Sequence, residues 1–336
     1  MVTHAVELCR AMLAAAPPGT LVVFSSRERV PGLEGAYEAI LSPHRDEIAN
    51  KLLWFPAVEA AAGLDAILYP YWPPPPRRRV GAPPAAFFVH DLAFRLRPDE
   101  VPWQQRAYLG TVLPPALRGA RAVLVPSAAT ASDLLASYPV AGLAGRLAVV
   151  PEGPAPLPAP GSLPEGLEPG YILAVGTVEP RKNYQRLAEA HRTIPGAPPL
   201  VIAGRPGWNG ARPPQGDGVV VLGHVDDATL AALYQDASML AFPSLLEGFG
   251  LPLLEAMGRG LPALVGDRGA LRELGGEAVI TVDPESVESI AGGLRALLGD
   301  AALRTRLGAA GRERAKGFSW SAAAASVLGT LAQIAA

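Results

Sequence analysis

One stretch narrows the possible folds more than any other: MLAFPSLLEGFGLPLLEAMGRGLP, Met239 to Pro262. Met239 to Phe242 is the short, unbroken apolar run of a buried strand, and LPLLEAM carries helical spacing. A Gly-rich turn joins the two. A strand that feeds directly into a helix is half of a βαβ unit, and a chain made of such units folds as a parallel sheet covered by helices.

The turn also has chemistry. Gly248 and Gly250 flank Phe249, and without a β-carbon their backbone can approach a ligand closely. The N–H groups of the first helical turn, from Leu251 on, favour an anion such as phosphate. Glu247 stands at the mouth of the turn and Glu255 just inside the helix. A sugar nucleotide satisfies both features, its phosphates taking the amides and its hydroxyls donating to the carboxylates. A tight turn before an ordinary amphipathic helix with solvated glutamates has the same local sequence.

The same grammar runs through the chain. A helix is expected over His4 to Ala15, a strand over Leu21 to Ser25, a helix over Asp46 to Ala62 and a strand over Asp65 to Pro70. The proline-rich PYWPPPPRRRVGAPP must then be a loop, because prolines remove donors and fix φ. AAFFVHD puts His90 and Asp91 at the end of a strand; a helix from Trp103 to Arg118, the strand RAVLVPS, a helix over Ala128 to Tyr138 and the strand RLAVV follow. Pro151 to Pro169 is rich in Pro and Gly without a period, a stiff linker. The domain boundary is therefore placed near residue 165.

After it the alternation resumes with YILAVG, the helix Tyr184 to Arg192, PLVIAG, VVVLG, the helix Asp227 to Gln235 and MLAF. The fold class is α/β, with two Rossmann-like doubly wound domains expected to face each other across a cleft. Residues 1–165 form the first, 166–318 the second, and 319–336 a last helix returning to the first. Ligands of such sheets bind outside the carboxyl ends of the strands, where His90 and Glu247 both lie.

Composition excludes several classes. A formal net charge of −2 gives no reason to expect nucleic acid as a partner. Cys9 is the only cysteine, so no intramolecular disulfide or thiolate-built metal site is available. The longest apolar segment, Ala322 to Ala336, is too short and too interrupted for a membrane span. With no secretory leader visible, the cytoplasm is the expected compartment. Histidines at 4, 44, 90, 191 and 224 are scattered and Asp-x-Asp is absent, so no metal constellation is read and no cofactor is expected.

GTVEPRKN, Gly176 to Asn183, again joins a strand to a helix and places Arg181 and Lys182 at the turn. Cations at a helix start oppose the dipole unless an anion is bound, which suits a diphosphate. A solvated basic helix start is the structural alternative. His90 reads either as a half-buried structural histidine or as a site residue. The loop Trp72 to Arg79 could touch an anionic membrane or be a solvated turn.

Taken in order, the VHD strand end, GTVEPRKN, Ala203–Gly204, GHVDDATLAALYQDAS, PSLLEGFGLPLLEAM and FSWSAAA resemble family-four retaining glycosyltransferases of the GT-B fold. The likeness is greatest to bacterial mannosyltransferases of surface-polysaccharide assembly. The resemblance implies that Glu247 lies near the donor sugar and Glu255 near the ribose. It implies that Gly248, Phe249 and Gly250 offer amides to sugar and phosphate, and that Arg181 and Lys182 hold the diphosphate beside Gly176 and Thr177. Val225 would contact the base and His90 the anomeric carbon. The implied substrates are GDP-mannose, or another sugar nucleotide, and a glycan or lipid-linked acceptor, with no metal required.

Two departures stand out. Thr177 occupies a position that is arginine in many relatives, so Arg181 is expected to substitute. The family opens with a strand and a Gly-rich loop before the first helix, whereas this sequence begins at that helix, so either the start codon is misplaced or the protein is a shortened form with an open sheet slot. An impaired protein that still binds nucleotide is therefore a second reading, and a sugar-nucleotide epimerase a third. Replacing Glu247 by alanine is expected to abolish transfer and leave the fold intact.

Overall fold

The computed structural model describes residues 2–16, 22–25, 33, 38–41, 54–71, 73–75, 78, 80–208 and 211–336. The first part of the helix expected over Asp46 to Ala62 lies outside the described residues, as do Trp72, Pro76, Arg77 and Arg79 of the proline-rich loop. The chain divides into two compact units. Unit 1 comprises Met1–Arg95, Gln104–Gly153 and Ser319–Ala336, and unit 2 comprises Leu96–Trp103 and Pro154–Phe318.

In unit 1, helix α1 (Val2–Ala15) precedes the parallel pair β1 (Val22–Ser25) and β2 (Glu38–Leu41). Helix α2 (Phe55–Ala61) follows. A second sheet has the order β3 (Ile67–Tyr69), β4 (Ala85–Phe88), β5 (Ala122–Val125), β6 (Leu147–Val149), every pair parallel. AAFF and AVLV are buried at every position, as continuous apolar strands must be when both sheet faces are covered. Helices α3 (Ala93–Leu96), α4 (Trp103–Gly119) and α5 (Ala128–Ser137) lie between these strands and after β5. α5 starts where the Ser127 hydroxyl accepts the Thr130 N–H at 3.1 Å.

Unit 2 contains β7 (Ile172–Val175), α6 (Tyr184–Arg192), β8 (Leu200–Ala203), β9 (Val219–Gly223), α7 (Asp227–Asp236) and β10 (Met239–Phe242). It continues with α8 (Leu251–Arg259), β11 (Ala263–Gly266), α9 (Gly269–Gly275), β12 (Ile280–Val282), α10 (Val287–Gly299) and α11 (Ala301–Ala315). Its sheet is six-stranded and wholly parallel, in the order β12-β11-β10-β7-β8-β9. From β7 the chain winds one way and from β10 the other. The strand order therefore reverses between β7 and β10, and a crevice opens at their carboxyl ends.

The boundary differs from the expected position near 165. It falls between Gly153 and Pro154, because the proline-rich segment docks onto unit 2. Leu157, Leu163 and Leu167 pack on that unit's core, and the Gly161 N–H donates to Ala228 O at 2.9 Å. Prolines deny the segment a ladder, while its spaced leucines anchor it. Residues 96–103 also join unit 2, where Glu100 O accepts the Trp208 indole N–H at 3.0 Å.

The last helix, α12 (Trp320–Ala335), belongs to unit 1 and packs on α1. Residues 301–335 together reach the length and hydropathy of a span. They are two helices broken at 316–319, of 15 and 16 residues, each short of the roughly 20 a bilayer needs.

Candidate active site

The loops that follow β7 and β10 meet at the switch point of the unit 2 sheet. Asn183 clamps them. Among the described residues it is the only non-glycine with positive φ, 63°, a conformation that asparagine tolerates better than most residues. Its amide donates to Pro243 O at 3.0 Å and to Pro284 O at 2.5 Å, and the Leu245 N–H donates to Arg181 O at 2.8 Å. Beneath them Gly204 packs so closely that a β-carbon there would lie 1.9 Å from Gly176 O.

This clamp joins Arg181, Lys182 and Glu247 in one network. Arg181 Nη1 donates to Glu247 Oε2 at 2.7 Å and to Leu246 O at 3.1 Å, while its Nη2 meets Glu179 Oε1 at 2.5 Å. Lys182 Nζ donates to Glu247 Oε1 at 2.7 Å and lies 4.5 Å above the centre of the Phe242 ring. Burial works to raise the Glu247 carboxyl, but Arg181 and Lys182 outweigh it and hold the group down at about 2. Burial also pulls Lys182 below its ordinary range, against the attraction of Glu247. Two cations face two carboxylates, so the cluster is balanced before any donor arrives. Any anion arriving there would have to draw Arg181 and Lys182 at least partly from Glu247.

The charges also correct the expected outcome for Glu247→Ala. The Glu247 and Lys182 side chains are each 8 % exposed, so removing the carboxylate strands a buried cation. The variant is therefore expected to lose stability.

Helix α8 begins after Gly250, whose φ of 115° and tight fit against Leu271 both exclude a side chain. Leu253 and Leu254 turn their N–H groups back to Gly250 O, and Pro252 has none. The first turn therefore offers an anion fewer amides than a whole helical turn would. The Phe249 side chain is buried in the unit 2 core, 5.8 Å from the Phe318 ring. Glu255 accepts the Tyr234 hydroxyl at 2.8 Å. Burial lifts its carboxyl to about 7, against opposing pulls from Tyr234 and Arg259. Gly176 O accepts the Tyr184 hydroxyl at 3.1 Å, Thr177 is half-buried, and Val225 packs at the edge of the same core.

His90, in unit 1, lies two residues past β4. Its Nε2 donates to Pro70 O at 2.8 Å, and its Nδ1 is 3.6 Å from Glu152 Oε1. Both ring nitrogens face groups of its own unit, so a side-chain role at an anomeric carbon requires one contact to open. Asp91 is structural: its carboxylate accepts the Ala93 N–H at 2.9 Å and starts α3. The histidines are less scattered than their spacing suggests, because His4 and His90 converge on Glu152. Ligand spacing within one segment cannot reveal a cluster drawn from α1 and two strand ends.

Residues 160–314 match the family described as Glycosyl transferases group 1. That match lies within the second unit and covers most of it. It is 32 % identical over 250 residues to O-antigen chain mannosyltransferase B of Escherichia coli, a match spanning 69 % of this chain and 65 % of that protein. It is 40 % identical over 108 residues to MMP alpha-(1->4)-mannosyltransferase of Mycolicibacterium hassiacum, or 31 % of this chain and 26 % of that one. The chain thus spans less than two thirds of either relative. Sucrose-phosphate synthase from Thermosynechococcus elongatus shares the fold, with a TM-score of 0.74 at 23 % identity over 97 % of this chain and 91 % of that one. The resemblance read from the motifs is borne out, and the fold is GT-B.

In unit 1, one basic residue expected on the surface has a structural role. Arg78 donates through Nε to Glu59 Oε2 at 2.9 Å and through Nη2 to Pro83 O at 2.6 Å, while Tyr69 donates to the same carboxylate. Glu59 is 1 % exposed, so Arg78 neutralises a buried acid. A cavity of about 310 Å³ beside Tyr234 and Arg259 opens near the amino ends of β10 and β11, away from the switch-point loops.

Proposed function

We propose that the protein is a retaining hexosyltransferase that moves mannose from GDP-mannose to a glycan or lipid-linked glycan. The observation that carries this reading is the convergence of Arg181, Lys182 and Glu247 at the switch point of a group 1 domain. As the bond from C1 to the diphosphate breaks, the leaving group gains negative charge. Arg181, Lys182 and the amides around Leu251 are placed to stabilise it, and preorganised donors of this kind are worth on the order of 3 kcal/mol each. The fixed cations do the work of a divalent ion at the diphosphate. Glu247, freed as they turn to the donor, accepts from the sugar hydroxyls, and Glu255 accepts from the ribose.

The choice of mannose follows the mannosyltransferase names of the relatives. We place the activity in the cytoplasm, with the acceptor reached in solution or at the inner membrane face. One observation favours a second reading, a protein that binds sugar nucleotide without transferring it: His90 has both ring nitrogens engaged within unit 1.

Calorimetric titration with GDP, UDP and ADP tests the donor assignment. GDP should bind tightest, and Lys182→Met should weaken it at least about tenfold, since a charge-assisted contact is worth about 1.5–3 kcal/mol. Equal affinity for all three nucleotides, or no effect of the substitution, refutes it.

A further inference from the structure

We propose that His4, His90 and Glu152 form a binding site for a divalent transition-metal ion of the zinc class. The three residues come from α1, the end of β4 and the segment after β6, all in unit 1. Each offers one ligand atom, and these atoms lie within 4.8 Å of one another. Zinc bound at about 2.0–2.1 Å in a tetrahedral site keeps its ligand atoms roughly 3.3 Å apart. The separations from Glu152 Oε1 are 2.9 Å to His4 Nδ1 and 3.6 Å to His90 Nδ1, on either side of that value.

Tautomer chemistry points the same way. His90 Nε2 faces a carbonyl, which only accepts, so Nε2 carries the proton and a neutral ring leaves a lone pair on Nδ1. That lone pair faces a carboxylate oxygen. Two such lone pairs approach each other stably only with a proton or a metal ion between them. A histidine whose far nitrogen donates to a backbone carbonyl while the near one faces a carboxylate has the arrangement found around bound metals.

His4 supplies an independent observation. It is 2 % exposed, and neither ring nitrogen has a hydrogen-bond partner, although Nδ1 is close to Glu152. The nitrogen and the oxygen are near each other but not aligned for an N–H···O bond, as expected of two atoms directed at a shared third point. Phe88 at 4.7 Å and Trp320 at 5.4 Å hold the ring edge-on.

Charge completes the case. Glu152 is 5 % exposed and, among the described residues, forms ion pairs with these two histidines and with no Arg or Lys. A buried carboxylate without an Arg or Lys partner is costly, and a metal cation between it and the two imidazoles would offset that cost. Three protein ligands leave one tetrahedral position for a water or a substrate oxygen.

The test needs no knowledge of the transfer reaction and does not depend on it. The protein is loaded with zinc chloride, gel-filtered and analysed for metal, and in parallel titrated with Co²⁺ while the visible spectrum is recorded. The wild type should retain one zinc per chain and give the intense bands of four-coordinate Co²⁺. Glu152→Gln and His4→Phe should each weaken zinc at least about tenfold. Retention that is unchanged in both variants overturns the proposal, as does a wild type that retains no zinc. The wild type also serves alone if the variants fold poorly: imidazole ¹⁵N spectra should show His90 Nδ1 deprotonated and shifted by zinc. Both nitrogens protonated with zinc present would mean that a proton fills the gap.

Discussion

Glu247→Ala is the most informative perturbation of unit 2, because it separates the energetic role of this carboxylate from its chemical one. In the wild type the carboxylate accepts from Arg181 and Lys182 at 2.7 Å each. Holding its carboxyl at about 2 against an ordinary 4.5 corresponds to about 3 kcal/mol of stabilisation. Stranding a buried charge by removing its partner costs about 3–5 kcal/mol, in agreement. Urea unfolding at pH 7, followed by signals from unit 2, should therefore show a loss of about 3 kcal/mol. The sign of the pH dependence is fixed. A depressed carboxyl stabilises fully above its unfolded value near 4.5, and that stabilisation is lost as pH falls towards 2. The gap between wild type and variant should thus narrow on acidification. Adding Lys182→Met should cost less than the two single substitutions summed. A Glu247→Ala protein within about 0.5 kcal/mol of wild type at pH 7, the usual range for surface changes, would refute the network.

Three further outcomes follow from the same geometry. Because Glu255 titrates near 7, a carboxylate that receives ribose hydroxyls should bind GDP-mannose up to about tenfold more tightly at pH 8 than at pH 6. Glu255→Gln should abolish that dependence in calorimetry. The same raised carboxyl makes Glu255's contribution to stability fall as pH rises from 4.5 through about 7. Gly204→Ala should leave unit 2 unable to reach its native circular dichroism and thermal transition, because its methyl group would lie 1.9 Å from Gly176 O. Arg78→Ala should cost about 3 kcal/mol in urea unfolding by exposing Glu59 as an unpaired buried acid. Vesicle binding by the basic loop is therefore tested with Arg77 and Arg79 replaced and Arg78 kept, and sedimentation that is unchanged argues against membrane contact.

The sheets were legible because their strands are unbroken apolar runs such as AAFF, AVLV and MLAF, and a parallel sheet covered on both faces demands that pattern. The switch-point loops were legible as well, since Gly250 and the Arg181–Lys182 pair follow strand ends directly. What one-dimensional reasoning missed depends on contacts between distant segments. Glu247 and Arg181 were read separately, one towards the sugar and one towards phosphate, and nothing local announced that they bind each other across 66 positions. His4 and Glu152 lie 148 positions apart, each unremarkable in its own segment, and only the packing of α1 brings them together. Arg78 looked like one of three solvated charges because its buried partner Glu59 precedes it on a different element. The boundary was misplaced because proline content marks an irregular segment without saying which unit's core its leucines will reach.

The central claim is most directly tested by following GDP-mannose with the folded protein and a panel of mannoside acceptors, using NMR to read the new anomeric centre. The account predicts acceptor-dependent GDP release and an α-linked mannoside, the configuration of the donor. A β-linked product, or no release from GDP-mannose while another sugar nucleotide is consumed, would contradict it.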